Sequence, residues 1–248
     1  MSELPVQAET TRPAAGRYNE VLVARVYHGV TALAAAAGLV LEAAAMLGSP
    51  AYGAAPAHAW WNFLSYFSVQ AGLLVLAVAA SLAVDSARSG GRFWRAARLA
   101  ALVAAALVFL LQFTPYRGLA EFTGLNAATV WGDRVLHYVV PILVVAGWLM
   151  FGPRPRIRES TALWSLVFPV FWLLWTLVRG AATDWYPYPP VDAAAAGLVP
   201  VLTAGVFVLL GWLGAAFLYL FLDRRMGREP DGFLPGFGPA DRPGTDRG

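Results

Sequence analysis

The chain has 248 residues, 58% of them hydrophobic and only 13% charged, about half the charged share of a soluble domain. Its net charge is only +3 and sits in loops and helix flanks, which argues for membrane topology and against nucleic-acid binding. It has no cysteine, which excludes disulfides, thiolate metal sites and a cysteine nucleophile.

Mean hydropathy is +0.57, and the apolar blocks approach the ~20 residues that cross a bilayer as a helix. Runs of Ala, Leu and Val without short alternating segments choose helices over a closed barrel. The expected fold is therefore an all-α, six-span, polytopic membrane bundle. Every basic residue is Arg, which together with abundant Ala and Gly reads as the codon bias of a GC-rich genome.

Residues 1–20 are polar, carry Pro5 and Pro13, and are expected to be a disordered tail. The first span is expected over 21–47. The small residues of "AYGAAPAHA" after it resemble a cleavage site. The apolar run is longer than the ~7–15 residues of a signal peptide and holds Glu42, so it reads as a retained helix. Further spans are expected over 62–84, 96–113, 134–151, 161–179 and 195–222. Residues 223–248, dense in Pro and Gly, are expected to be a second disordered tail.

Six spans put both termini on one side, and arginine says which. Arg88, Arg92, Arg95 and Arg98 surround the connection between spans two and three. Arg154, Arg156 and Arg158 fill the next connection on that side, and Arg224, Arg225 and Arg228 follow the last span. The opposite loops hold only Arg117, Arg134 and Arg179. By the positive-inside rule both termini are cytoplasmic, as in a multi-pass plasma-membrane protein. No internal repeat of the kind many transporters carry is visible.

On this topology the polar residues concentrate at the outer ends of five spans. Glu42 ends span one. Asn62, Ser65, Ser68 and Gln70 open span two, and Gln112 closes span three. Asp133 and His137 open span four, and Arg179 closes span five before Trp185 and Tyr186. By helical rise, Ser65 and His137 both lie ~5 Å inside their helix starts. Single Ser and Thr residues at such depths usually make ordinary interhelical hydrogen bonds. An intramembrane His, Glu or Arg is a functional candidate by default, although Glu42 and Arg179 are also possible counter-ions to each other. His28, in the inner half of span one, reads as structural. At a helix start, dipole and burial both disfavour an imidazolium, leaving His137 the neutral ring that a general base requires. Asp133, one turn before it, reads first as a helix cap and second as a group that orients the ring.

"NFLSYFSVQ", "VLHYVVPILVV" and "WYPYP", in this order on span two, span four and the loop after span five, resemble a bacterial six-span family labelled Pr-six-Pr. The resemblance covers residues 22–222. That family is similar in layout to the eukaryotic androgen-induced-gene family of multi-pass threonine hydrolases, which cleave fatty acid esters of hydroxy fatty acids. The resemblance implies a catalytic His on span four, which falls on His137 with Pro141 after it. It also implies a hydroxyl nucleophile on span two, which falls on Ser65, with Ser68 as the second choice. Ser stands here where that family has Thr.

The leading expectation is thus an intramembrane Ser/His hydrolase of a lipid ester, its partner a membrane lipid. Asn62, Gln70 and Gln112 are candidate oxyanion donors, and Arg179 a candidate for a substrate carboxylate. Trp185 and Tyr186 would lie at headgroup level. The alternatives are a small-solute transporter or binding protein using the same outer cluster, and a structural membrane protein without chemistry. A haem bridging His28 and His137 is disfavoured, because the first lies ~9 Å from the inner end and the second near the outer end. No cofactor or metal is expected, since His is sparse, Cys absent and the outer acids scattered.

Overall fold

The computed structural model describes residues 14–113, 127–152, 154 and 156–227. Helix α1 covers Ala14–Leu47, α2 Pro50–Ala54, α3 Pro56–Ser65, α4 Phe67–Val84 and α5 Arg92–Leu111. Helix α6, Ala127–Arg134, runs through a π-helical turn at Val135–Val139 into α7, Val140–Phe151. Helices α8 (Glu159–Ser165) and α9 (Val167–Thr183) follow, then a short 3-10 turn at Pro189–Val191, α10 (Ala193–Ala196) and α11 (Leu198–Met226). Six helical stretches are long and apolar enough to cross a membrane: Asn19–Leu47, Phe67–Val84, Arg92–Leu111, Ala127–Phe151, Glu159–Thr183 and Leu198–Met226. The protein is an all-helical polytopic membrane bundle with six long apolar helices.

Several boundaries differ from the sequence expectation. Helix α1 starts at Ala14 rather than 21, and α11 continues to Met226, taking in Asp223. The fourth span starts at Ala127 rather than 134. His137 therefore stands ~15 Å past the helix start, and the dipole argument for its neutral form lapses. Asp133 lies inside α6 and is not its cap. The remainder of the expected tails, 1–13 and 228–248, lies outside the described residues.

The largest difference is in the second span, which is not one helix over 62–84. Tyr66 adopts an extended conformation (φ −65°, ψ 134°) between α3 and α4. A break inside a bilayer is tolerated only where the freed backbone groups find partners. Here the Leu64 carbonyl accepts from Gln70 Nε2 at 3.0 Å. The Ser65 carbonyl accepts from the Trp172 indole N–H, also at 3.0 Å. On the other side of the break, the Tyr188 phenol oxygen faces the N–H groups of Phe67 and Ser68. Partners from α9 and from the loop after it thus close a discontinuity that has no Pro or Gly to announce it.

Two other interruptions do have local causes. Pro169 has no N–H to give the Ser165 carbonyl, and the chain tightens at Leu166 between α8 and α9. Pro141 likewise cannot bond the His137 carbonyl, and its ring crowds that oxygen. The turn before it widens, so that the Val140 N–H bonds Val135 O. Such π turns occur often at functional sites.

Close packing follows from small residues, as expected where lipid supplies no hydrophobic drive between helices. Helices α1 and α4 form the most extensive pair. A Cβ on Gly72 would lie 2.9 Å from Leu136 Cδ1, and one on Gly38 3.3 Å from Val135 Cγ1. Leu136, buried, thus nests between the first two spans and fixes the turn that carries His137. Helix α11 is tied in by Trp212, fully buried, whose N–H donates to Ser165 Oγ at 3.0 Å. Nearer its end, Asp223 Oδ2 accepts from the N–H groups of Arg156 and Ile157 at 2.6 and 2.8 Å.

Candidate functional site

A cavity of about 380 Å³ opens in the half of the bundle away from the arginine-rich ends, lined by residues of all six spans and of the loop after α9. Its walls are mostly apolar, with Leu107, Leu111, Leu173, Val208 and Leu209 among them. Leu111 and Val208, which line it, are also exposed on the flank of the bundle. Its polar lining comprises Glu42, Ser68, Gln112, Thr129, Asp133, His137 and Tyr188.

His137 is presented by the π turn. Its Nδ1 lies 3.1 Å from the Asp133 carbonyl oxygen and 3.2 Å from Asp133 Oδ1. Both are acceptors, so Nδ1 is the donor of this pair and Nε2 is left outside it. The ring-orienting role of Asp133, set second to capping from the sequence, is the one the geometry provides. Glu42 approaches from α1 within electrostatic range of both residues. It reaches them across Gly132, where a Cβ would lie 3.0 Å from Glu42 Oε1 and 3.1 Å from its backbone nitrogen. A side chain at that position would press on Glu42, which would have to give by a few tenths of an ångström. Gln112 supplies a buried Oε1 that has no hydrogen-bond partner among the described residues.

The two candidate serines are separated by the break at Tyr66. Ser65 ends α3, is 1% exposed and is not among the cavity-lining residues. Its hydroxyl donates to the Trp61 carbonyl at 2.7 Å and accepts from Trp175 Nε1 at 3.1 Å. Ser68 is in the first turn of α4, lines the cavity, and shares a hydrogen bond with the Tyr188 phenol. Among the described residues no hydrogen bond links either serine to His137. Burial pushes the Tyr188 phenol up to about 12, against the hydrogen bonds from Ser68 and Phe67, which lower it.

Of the other residues singled out from the sequence, Asn62, Gln70, Arg179, Trp185 and Tyr186 stand outside the cavity lining. Arg179 donates to Asn62 Oδ1 at 2.5 Å and stacks over the Trp185 ring at 4.8 Å. Its partner is thus Asn62, and Glu42 belongs with His137. Gln70 is spent on the Leu64 carbonyl. Tyr186 lies against Gly180, where a Cβ would collide with its ring. Asn62, Arg179, Trp185 and Tyr186 build the outer rim and fasten the loop that delivers Tyr188. Tyr188 itself, second tyrosine of "WYPYP", has no sequence signal that separates it from Tyr186.

Comparison with protein-family models, with curated proteins and with solved structures finds no match. Among the described residues no three His, Cys, Asp or Glu side chains are grouped to hold a metal ion. What the arrangement offers chemically is an imidazole oriented by Asp133, a hydroxyl in the first turn of a helix, and an apolar chamber beside them.

Proposed function

We propose that this protein hydrolyses an ester of a membrane lipid, with Ser68 as nucleophile and His137 as general base, in the half of the cell membrane facing away from the cytoplasm. The observation that carries the reading is the Asp133–His137 pair facing an apolar cavity that Ser68 also lines. Ser68 Oγ would attack the acyl carbon while His137 Nε2 takes its proton, the general arrangement for an activated hydroxyl. His137 would return that proton to the departing alcohol, and water would then release the acid by the same route. Tightening of the Ser68–His137 approach on substrate binding is ordinary for such pairs. Gln112, or the N–H groups at the start of α4, would face the oxyanion. The acyl chain would lie along the apolar walls and enter from the flank near Leu111 and Val208. The motif resemblance to the Pr-six-Pr and androgen-induced-gene families implies the same reaction class and the same histidine. Ser68 is preferred to Ser65 because the Ser65 hydroxyl already bridges Trp61 and Trp175.

The test is covalent labelling of the purified protein by a fluorophosphonate, comparing wild type with Ser68→Ala, Ser65→Ala and His137→Ala. Thermal melts confirm that each variant is folded. The reading expects labelling to vanish in Ser68→Ala and His137→Ala and to persist in Ser65→Ala. Undiminished labelling of folded His137→Ala would sink it.

A further inference from the structure

The inner end of the bundle carries a second polar centre, built on Arg98. This residue lies ~9 Å past Arg92, the start of α5, so it is not one of the loop arginines that topology alone explains. It lines a cavity of about 30 Å³ together with Arg88, Arg95, Arg156 and Asp223. Four arginines and a single carboxylate thus line one small cavity. That carboxylate is 1% exposed, and its Oδ2 is already taken by the N–H groups of Arg156 and Ile157.

Among the described residues the hydrogen bonds of the other three arginines go to neutral acceptors, and Arg88 also lies over the Trp94 ring at 4.7 Å. Arg88 donates to Ser81 Oγ at 2.7 Å, Arg95 to the Gly90 carbonyl at 3.2 Å, and Arg156 to the Ala87 carbonyl at 3.4 Å. Among the described residues Arg98 donates no hydrogen bond, and none of the four makes a direct ion pair. Arg154 adds a further positive charge nearby, with a buried Nε that has no hydrogen-bond partner among the described residues. Like charges gathered at one cavity repel, and Arg95, Arg98 and Arg156 are partly shielded from water. An anion that accepts from several guanidinium forks at once relieves that repulsion.

Size and position narrow the class. The cavity, about 30 Å³, is bordered by the exposed Arg88 and Ser89, so a small group seated in it can leave the rest of its molecule outside. The site also lies at the arginine-rich end of the bundle, level with the last turn of α11. Anionic lipid headgroups collect at that depth on the cytoplasmic leaflet. We propose that this pocket binds a phosphate group, presented by an anionic phospholipid of the inner leaflet or by a soluble phosphate, with the rest of the molecule left outside.

The experiment is thermal unfolding of the full chain in phosphatidylcholine nanodiscs. One arm adds inorganic phosphate at constant ionic strength against chloride. The other mixes phosphatidylglycerol into the disc. The proposal expects saturable stabilisation in at least one arm, with apparent affinity weakened about tenfold or more in Arg98→Gln and Arg156→Gln, as for loss of a charge-assisted hydrogen bond. Arg224→Gln, which removes a surface partner of Glu159, is expected to respond as wild type. Stabilisation by phosphatidylglycerol alone identifies the lipid as the source, and stabilisation by inorganic phosphate identifies the soluble ion. The proposal is overturned if neither arm responds, or if Arg224→Gln weakens the response as much as the pocket variants do. If Arg98→Gln does not fold, Arg156→Gln decides alone: an unweakened response there overturns the proposal.

Discussion

The indole N–H of Trp172 donates to the backbone carbonyl of Ser65 across 107 positions of sequence, at 3.0 Å. That contact lets the second span be discontinuous at the site. Trp172→Phe keeps a ring against Phe67, which it meets at 5.2 Å, but orphans the carbonyl. An unsatisfied buried acceptor costs about 1–3 kcal/mol. A clear fall in Tm is expected for Trp172→Phe in detergent. Trp175→Phe should cost less, because Ser65 Oγ retains the Trp61 carbonyl as a partner.

Asp133 offers His137 Nδ1 two acceptors, its carboxylate and its carbonyl together. Asp133→Ala leaves the carbonyl in place, so it should slow fluorophosphonate labelling of Ser68 by about tenfold to a hundredfold. His137→Ala should cost the larger share of the ~10²–10⁴-fold that a general base contributes. Equal labelling rates in Asp133→Ala and wild type would remove the aspartate from the mechanism.

Gly180→Ala should loosen the outer rim. The new Cβ would overlap the Tyr186 ring, and the ring has to leave or the helix has to shift. Overpacking of this kind costs about 1–3 kcal/mol. The loop would then withdraw Tyr188 from the start of α4. Lower Tm and faster proteolysis within 184–192 are the expected readouts, with Gly211→Ala as control, since nothing lies within 4 Å of a Cβ there.

Tyr188 gives a stability limb at high pH. Its phenol stays protonated to about 12 in the fold, against 10.0 for the free side chain, because burial penalises the phenolate. Between those values the unfolded chain has lost a proton that the native chain keeps, so stability falls as pH rises. The contribution is complete below pH 10 and is lost between about 10 and 12. Tyr188→Phe should be less stable at neutral pH, having lost its bonds to the α4 terminus, and should show a shallower alkaline decline. Denaturation melts across that range, with tyrosinate absorbance, measure both.

Much of this was legible from the residues alone. Six apolar runs gave six spanning helices, and the placing of Glu42, Gln112 and His137 at the outer ends of three spans named residues that line the cavity, whereas the common depth expected for Ser65 and His137 did not bring Ser65 to it. Pro141 and Pro169 mark two of the three interruptions, because proline acts locally. The third, at Tyr66, was invisible because its cause is tertiary. Nothing in "NFLSYFSVQ" breaks a helix; Trp172, Tyr188 and Gln70 make the break affordable once the chain has folded. That break also decides which serine meets the cavity, so the nucleophile assignment could not be read before the helix was known to be discontinuous.

Leu111 and Val208 both line the cavity and are exposed on the flank of the bundle, and entry of a ligand beside them would change what concentration means for the protein. A ligand arriving by that route never presents itself from water, so its amount per volume of buffer is irrelevant. Occupancy would follow its mole fraction among the surrounding amphiphiles. Adding inert detergent at constant total ligand should therefore depress turnover by surface dilution, whereas enlarging the aqueous volume should leave it unchanged.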